Sequence, residues 1–254
     1  MRIYIPSYAR QYVRTVEYLQ GEEIVLVLRQ GEPVPRHIPS RQDKITVERL
    51  PLYVDGIADT RKEIGLMAAA NKEPVFMMMD DDLRILARRR IDGRLADLTR
   101  PKDMMKEVKA LLKMVPSVSI SARFGNTFVR EDFRLNGRQT QATAYRTDVY
   151  NNELKFGESE YFEDALRTIQ LFQAGHQNAV LYNYAIEPGR MNTPGGCSTW
   201  RTWDGMKADA DNLAAKYPNI VTSILKVDKD FFPEKGTRPD IRVKWAAARK
   251  QSET

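Results

Sequence analysis

The feature that most constrains the fold is a short apolar run that ends abruptly in three carboxylates. Residues 75–79, VFMMM, have the length and apolarity of a strand buried on both faces, and Asp80, Asp81 and Asp82 follow directly. Upstream, the apolar residues of 60–70 recur at helical spacing. Alternating strands and helices are typical of an open α/β sheet, whose ligands bind beyond the carboxyl ends of the strands. The three aspartates therefore occupy an edge where a ligand is expected.

The rest of the chain continues this alternation. Short apolar runs bounded by turn residues predict strands at 2–5, 24–28, 118–122, 139–145 and 180–186. Helical spacing predicts helices at 11–19, from Thr60 up to Pro74 with a capping box of Thr60 and Glu63, and at 162–174. The polar stretch 125–138 is a hairpin or a loop. Without an internal repeat or a long linker, residues 1–254 are expected to form a single domain, an open mixed sheet with helices on both faces.

Composition excludes several classes of protein. Hydrophobic residues make up 42% and charged residues 29% of the 254 residues, which is ordinary for a globular protein and unlike a disordered or fibrous one. No stretch approaches the ~20 apolar residues of a membrane span, and the first residues do not resemble a signal peptide. Cys197 is the only cysteine, which excludes an internal disulfide and a cysteine zinc cluster. These features predict a cytoplasmic protein with no membrane partner.

The net charge of +6 is concentrated in one segment. Between residues 84 and 113 there are ten Lys or Arg and four Asp or Glu, a difference of +6, so the remainder of the chain is neutral. Arg88, Arg89, Arg90 and Arg94 form the densest part and are candidate contacts to phosphates of a nucleic acid. The lysines of 102–113 alternate with acidic and apolar residues, so a solvated helix face is an equal alternative there.

The three adjacent aspartates are candidate metal ligands. Carboxylates placed together after a buried strand repel one another unless a cation or solvent compensates them. In an extended chain, Asp80 and Asp82 project to one side and Asp81 to the other, so the first and third can share one Mn²⁺ or Mg²⁺. Such an ion also stabilises a departing diphosphate. An isolated DDD is more often an exposed acidic turn, but the preceding apolar strand favours a site.

A second acidic pair, Glu163 and Asp164, lies at the start of the predicted helix 162–174. Acidic residues in a first helical turn are often structural, because they face the positive end of the helix dipole. A transferase that moves a group to a hydroxyl also needs a base to accept the hydroxyl proton. We therefore predict that Asp164 is the catalytic base, with Glu163 as the second candidate.

A glycine-rich segment, NTPGGCSTWRTW, has the composition of a closing loop or of a plain turn. Gly195 and Gly196 allow the backbone to approach a ligand closely. Ser198, Trp200 and Arg201 are candidate contacts to a sugar or a phosphate, since Arg forms paired hydrogen bonds with phosphate oxygens.

The order of these features resembles a known family. The segments IYIPSYAR, GIADTRKEIG, VFMMMDDDLRI and FGESEYFEDALRTIQLFQAG resemble glycosyltransferases of the GT-A type. The segments NTPGGCSTWRTWDGMKADADNLAAKYPNIV and RPDIRVKWAAA resemble more narrowly the TET-associated glycosyltransferases of bacteriophages. The resemblance covers nearly the whole chain, with a nucleotide-sugar-binding part over about residues 1–115 and an acceptor-binding part over about 116–254.

The resemblance implies a function and a set of site residues. A member of that family attaches a sugar, typically glucose from a UDP-sugar, to 5-hydroxymethylcytosine already present in DNA, inside the host cell of the phage. Asp80 and Asp82 would hold the metal, Asp81 would lie near the donor, and Asp164 would be the base. The residues that would border the nucleotide are Ser7, Tyr8, Arg10, Asp59 and Arg61.

One departure and three alternatives accompany this interpretation. Many GT-A enzymes add a histidine near the carboxyl terminus as a further metal ligand, and no histidine follows His176 here. Metal binding is therefore expected to depend more on the donor phosphates. The alternatives are a GT-A transferase acting on a glycan or protein, a nucleotidyltransferase, and a non-catalytic module that binds nucleic acid.

Overall fold

The computed structural model describes residues 1–36, 44–89, 91–127, 129–189, 196 and 200–250. Within them, ten strands form one large sheet: β1 (Ile3–Pro6), β2 (Ile24–Leu28), β3 (Ile45–Arg49), β4 (Val75–Met79), β5 (Arg84–Arg88), β6 (Leu95–Asp97), β7 (Ser117–Ala122), β8 (Phe133–Leu135), β9 (Ala142–Arg146) and β10 (Ala179–Glu187). A separate hairpin pairs β11 (Val221–Val227) with β12 (Thr237–Val243). The α-helices are α1 (Gly56–Ala70), α2 (Pro101–Leu111), α3 (Thr147–Glu153), α4 (Glu163–Gln173), α5 (Trp203–Lys216) and α6 (Trp245–Lys250).

The large sheet is mixed, with the acidic run at its centre. Its strand order is β3-β2-β1-β4-β9-β7-β10-β5-β6, and β8 pairs with β10. The first four strands of this order are parallel, whereas β9 runs antiparallel to both β4 and β7. The carboxyl ends of β1, β2, β3 and β4 therefore lie at one edge, and the three aspartates follow β4 there.

Helices cover both faces of the sheet. On one face, α2 and a 3₁₀ helix (Arg14–Tyr18) pack on Met77 and Met79. On the other face, α1 and α3 enclose an aromatic cluster in which the rings of Phe76 and Tyr150 lie 5.1 Å apart. A third apolar cluster joins α4, α5 and α6 to β11. Side chains of the VFMMM strand are therefore buried on both faces of the sheet, with Met77 and Met79 on one face and Phe76 and Met78 on the other. This explains why the run is apolar without interruption.

Most predicted elements are present, and two predictions are wrong. The strands at 24–28 and 75–79 have the expected bounds, and the expected helix at 162–174 is α4. The residues 11–19 form only a short 3₁₀ helix. The capping box at Thr60 is also wrong, because α1 begins at Gly56 with Asp55 as its N-cap. Thr60 instead donates a hydrogen bond within the helix to the Gly56 carbonyl at 2.8 Å.

The polar stretch 125–138, for which the sequence leaves a hairpin or a loop as alternatives, contains the end of a second 3₁₀ helix, Arg123–Gly125, and the short strand β8. Among the described helices, none combines the length and apolarity needed to cross a membrane. The mixed sheet with helices on both faces, predicted from the sequence, is the observed architecture.

Candidate active site

A cleft of about 410 Å³ lies along the edge of the sheet where the parallel strands end. It brings together most of the predicted site residues: Ser7, Tyr8, Arg10, Arg61, Asp80, Asp81, Asp82, Glu163, Asp164, Gly196 and Arg201. These residues come from β1, α1, the end of β4, the start of α4 and the segment before α5. A concave site with converging charged groups at this position is where an open α/β sheet binds its ligand.

The backbone of the acidic run is held by one buried threonine. The Thr15 hydroxyl donates to the Asp80 carbonyl at 2.6 Å and accepts from the Leu83 amide at 2.9 Å. The Thr15 amide donates to the Asp81 carbonyl at 3.2 Å. Three bonds to one side chain and its backbone hold the turn between β4 and β5 in place. The backbone from Asp80 to Leu83 is therefore held in place before any ligand binds.

Arg61 of α1 joins the end of β4 to the start of α4. Its Nη2 lies 3.0 Å from Oδ1 of Asp80 and 3.2 Å from Oε1 of Glu163, and its Nη1 donates to Oδ1 of Asp164 at 2.8 Å. Its side chain is only 5% exposed, so the guanidinium compensates three carboxylates away from bulk water. The Tyr150 hydroxyl donates to the Arg61 carbonyl at 3.0 Å and fixes that turn of the helix.

The two carboxylates of the second acidic pair have different surroundings. Burial raises the pKa of Asp164, but the positive charges of Arg61, Arg167 and Arg138 outweigh burial and hold that pKa below its usual value. Burial also raises the pKa of Glu163, and here the effect of Arg61 is too small to reverse it, so its pKa stays above the usual value. Neighbouring carboxylates whose pKa values are pushed apart commonly take different roles in a site.

The carboxylates of the acidic run are partly uncompensated. Burial raises the pKa of Asp80 to about 8, with Arg61 opposing the rise and nearby carboxylates adding to it. Burial likewise raises the pKa of Asp81 to about 6, although Arg10 opposes it and the Ser7 hydroxyl donates to Asp81 at 2.7 Å. Asp82 is more exposed, and Nη2 of Arg10 lies 3.7 Å from its Oδ2. Excess negative charge of this kind favours a cation.

The carboxylates of the acidic run therefore supply some, but not all, of the ligands that a hard divalent ion requires. Asp80 and Asp82 both line the cleft and supply carboxylate oxygens, which Mg²⁺ and Mn²⁺ prefer. Within the described chain, no group of three or more His, Cys, Asp or Glu side chains is arranged to hold a metal ion. Two carboxylates with the remaining positions filled by substrate phosphates and water match this arrangement.

One end of the cleft has the character of a nucleoside pocket. Val27, Leu50 and Ile57 are apolar and lie near the ends of β2 and β3 and the start of α1. The guanidinium of Arg29 lies 4.2 Å from the centre of the Tyr8 ring. An apolar floor beside an aromatic ring and a stacked cation suits a planar base.

The opposite wall is aromatic and basic. The rings of Tyr161 and Trp200 lie 5.2 Å apart, and the guanidinium groups of Arg201 and Arg238 lie 5.4 and 5.1 Å from the centre of the Phe231 ring. All five residues line the cleft. Among the described residues, the buried Nε of Arg201 has no hydrogen-bond partner, so it remains able to donate to a bound anion.

Sequence reasoning missed several residues of the cleft. Arg29 follows β2 at the carboxyl edge, a position that a strand assignment alone marks as a candidate. Phe231 and Arg238 belong to the β11–β12 hairpin region, and Arg138 to the polar stretch before β9. These residues are far along the chain from the acidic run, so no local sequence pattern indicated that they belong to the same site.

The remaining predicted residues have other positions. Asp59 lies in α1 but outside the lining of the cleft, near Glu160. Gly195, Ser198 and Arg90 lie outside the described residues. Gly196 is described and lies beside Arg10, because a Cβ at Gly196 would be 3.2 Å from Arg10 Nη2.

The arginine cluster lies on the hairpin of β5 and β6. Arg88 turns inward, where Nη1 donates to the Gly93 carbonyl at 2.8 Å and Nη2 to the Asn126 carbonyl at 2.9 Å. Arg89 and Arg94 are exposed, and Nε of Arg89 donates to Asp92 at 3.1 Å. Arg88 is thus engaged within the protein, whereas Arg94 and the Arg89–Asp92 ion pair are exposed on the hairpin surface.

Comparisons with known proteins agree with the fold and with glycosyltransferase activity. No protein-family model matches the chain. The β-glucosyl-HMC-α-glucosyl-transferase of Enterobacteria phage T2 is 27% identical over 236 residues, which is 84% of this chain and 80% of that protein. The protein of the same name from Enterobacteria phage T6 is 28% identical over 197 residues, 70% of this chain and 66% of that protein.

A solved structure shares the fold. The glucosyl-3-phosphoglycerate synthase of Mycobacterium tuberculosis, described in complex with Mg²⁺ and UDP, superposes with a TM-score of 0.51 at 10% identity, covering 95% of this chain and 86% of that one. The predictions of a GT-A-like fold and of a glycosyltransferase are confirmed.

The Arg61 network generates a stability prediction. Arg61→Met leaves three carboxylates without their shared cation, and we expect a loss of about 3–5 kcal/mol in the free energy of unfolding, measured by urea denaturation. Adding Asp164→Asn to that variant removes one uncompensated charge and should restore part of the loss. The matched control, Arg94→Met on the exposed hairpin, should change stability by less than about 0.5 kcal/mol. A single Arg61→Met variant as stable as wild type contradicts the proposed role of Arg61.

Proposed function

We propose that this glycosyltransferase moves a sugar from a UDP-sugar to a hydroxyl group on hydroxymethylcytosine-containing DNA, with a divalent metal ion held by Asp80 and Asp82. The observation that carries the proposal is the acidic run at the end of β4, in a cleft whose other end is lined by apolar residues and the Tyr8 ring. The phage relatives, whose names contain HMC, support the choice of DNA. Their source supports action in the cytoplasm of an infected bacterium.

The donor is proposed to lie along the sheet edge. Its base would occupy the pocket of Tyr8, Val27 and Leu50, and its diphosphate would reach the acidic run. A bound divalent ion supplies positive charge that stabilises the departing diphosphate. Arg10 is tied to Asp81 and Asp82, so it orients the carboxylates on that side.

The arginines of the opposite wall are proposed to complete the diphosphate site. Arg201 has an unpartnered donor and is stacked on Phe231, which limits the freedom of its side chain. Arg238 is stacked on the same ring and is also paired with Asp240 at 3.2 Å. Preorganised donors of this kind stabilise charge that develops on a leaving group.

Proton transfer is proposed to involve the Glu163–Asp164 pair, with Glu163 rather than Asp164 as the base. The sequence predicts Asp164 as the base, but its carboxylate is held between Arg61 and Arg167, and its lowered pKa makes it a weak base. Glu163 lines the same cleft and has a raised pKa. We therefore assign the base to Glu163 and a positioning role to Asp164.

A second candidate acceptor is a glucose already attached to the modified base. The names of both phage relatives combine HMC with both a β-glucosyl and an α-glucosyl group, which fits an acceptor that already carries one glucose. The Tyr161–Trp200 pair in the cleft supports this candidate, because an aromatic ring can pack against the C–H face of a hexose. Both candidates use the same donor site and differ only in the acceptor.

The acceptor is identified by incubating the protein with UDP-glucose, Mn²⁺ and one of three DNAs, followed by nucleoside mass spectrometry. The DNAs carry cytosine, hydroxymethylcytosine or glucosyl-hydroxymethylcytosine, the last in both its α and its β form. We expect no adduct on cytosine and one added hexose on at least one modified DNA. An adduct on only the third DNA selects the second candidate. Transfer to a glycan or protein with no adduct on any DNA contradicts the proposal.

Metal dependence is tested at the two proposed ligands. Asp80→Asn and Asp82→Asn should each lower transfer by about a hundredfold or more, because the leaving diphosphate loses its cation. Excess EDTA should abolish transfer, and Mn²⁺ should restore it in wild type. Asp97→Asn, an exposed carboxylate on β6, is the matched control and should retain activity. Full turnover in EDTA would discard the metal assignment.

The two acidic residues of α4 are separated by kinetics at saturating donor. Glu163→Gln should lower kcat by about 10²–10⁴, the usual contribution of a general base, with little change in KM for the donor. Asp164→Asn should lower stability, and it should lower kcat by less than Glu163→Gln does. If Asp164→Asn has the larger effect on kcat while the protein stays folded, Asp164 is the base as the sequence predicted.

A further inference from the structure

Two nearly fully exposed apolar side chains lie beside the basic hairpin. Ile91, in the turn between β5 and β6, is 89% exposed, and Phe124, in the 3₁₀ helix after β7, is 92% exposed. Single exposed apolar residues are common, but Ile91 lies within the basic segment 84–113, and the segment of Phe124 is bonded to it.

The two segments are joined by hydrogen bonds of the Arg88 side chain. Arg88 links the Gly93 carbonyl of the hairpin turn to the Asn126 carbonyl beyond Phe124. Asn126 is 0% exposed, and its Nδ2 donates to the Ser121 hydroxyl at 2.6 Å and to the Tyr184 carbonyl at 3.0 Å. The exposed side chains therefore project from a firmly held base.

This surface also borders the cleft. Arg123, adjacent to Phe124, forms an ion pair with Glu187 at the end of β10, and the following Pro188 and Gly189 line the cleft. A Cβ at Gly189 would lie 3.0 Å from Oδ2 of Asp82. The contacts therefore lead from Phe124 to the acidic run, on the side away from the proposed nucleoside pocket.

We infer that Phe124 and Ile91, with Arg89 and Arg94, form a docking surface for the acceptor DNA next to the cleft. The inference rests on the proposed function for the identity of the acceptor. The arginines contact phosphates and set affinity without reading sequence. Phe124 supplies a flat apolar face that stacks on a base or enters a groove, and base stacking on aromatic side chains tolerates any sequence.

The inference is tested by DNA binding without donor, so that it does not depend on sugar transfer. The probe is a fluorescein-labelled 20-base-pair duplex containing hydroxymethylcytosine, titrated by anisotropy at several salt concentrations. Phe124→Ala should weaken binding about tenfold with the salt dependence unchanged, because an apolar contact releases no counterions. Phe124→Tyr should restore affinity. Arg94→Ala should reduce the slope of log Kd against log salt by about 1.

The matched control is Val227→Ala, which alters another side chain that is 83% exposed, on β11. Its affinity for the duplex should equal that of wild type. Equal binding by Phe124→Ala and wild type overturns the inference, as does an equal loss in Val227→Ala. A fall in molecular mass of Phe124→Ala by light scattering, with DNA affinity unchanged, assigns the surface to self-association and also overturns it. Duplex binding that depends on Phe124 supports the surface even where no sugar is transferred.

Discussion

The buried guanidinium of Arg61 is the interaction on which the site depends. It compensates carboxylates from the end of β4 and the start of α4. The first element carries the proposed metal ligands, and the second carries the proposed base. Three carboxylates converging in a partly buried cleft repel one another, and one planar cation with several donors reduces that cost. The position of α1 therefore decides whether the acidic run and the Glu163–Asp164 pair can share a cleft.

The same charge arrangement differentiates the carboxylates. Asp164 lies between Arg61 and Arg167 and stays ionised, whereas Glu163 and Asp80 are less well compensated and have raised pKa values. One cleft therefore contains three carboxylates in different states. Asp164 is ionised, Glu163 has the raised pKa that suits a proton acceptor, and Asp80 would be stabilised by a bound cation. Residue type alone does not distinguish them, since all are acidic residues near the same edge of the sheet.

The cleft has two chemically different ends, which supports an ordered arrangement of substrates. Apolar residues near β2 and β3 suit a nucleoside, whereas Tyr161, Trp200 and Phe231 with two arginines form the wall contributed by the second half of the chain. The basic hairpin and Phe124 lie beyond the opposite side of the acidic run. A donor along the parallel strands and a nucleic acid across β5 and β10 would therefore meet at the aspartates.

The sequence by itself determined six strands of the large sheet, the place of Asp80 to Asp82 at its edge, and the start of α4, because these follow from local apolar periodicity and strand length. Only the tertiary structure decided which charges meet. Arg61 and Asp164 are 103 residues apart, Thr15 and Leu83 are 68 apart, and Arg88 bonds to Asn126 rather than facing solvent. It also moved the start of α1 to Gly56, whose positive φ and contact with Glu160 exclude a side chain. Contacts of this range depend on how helices pack on the sheet, and no local pattern encodes that distance.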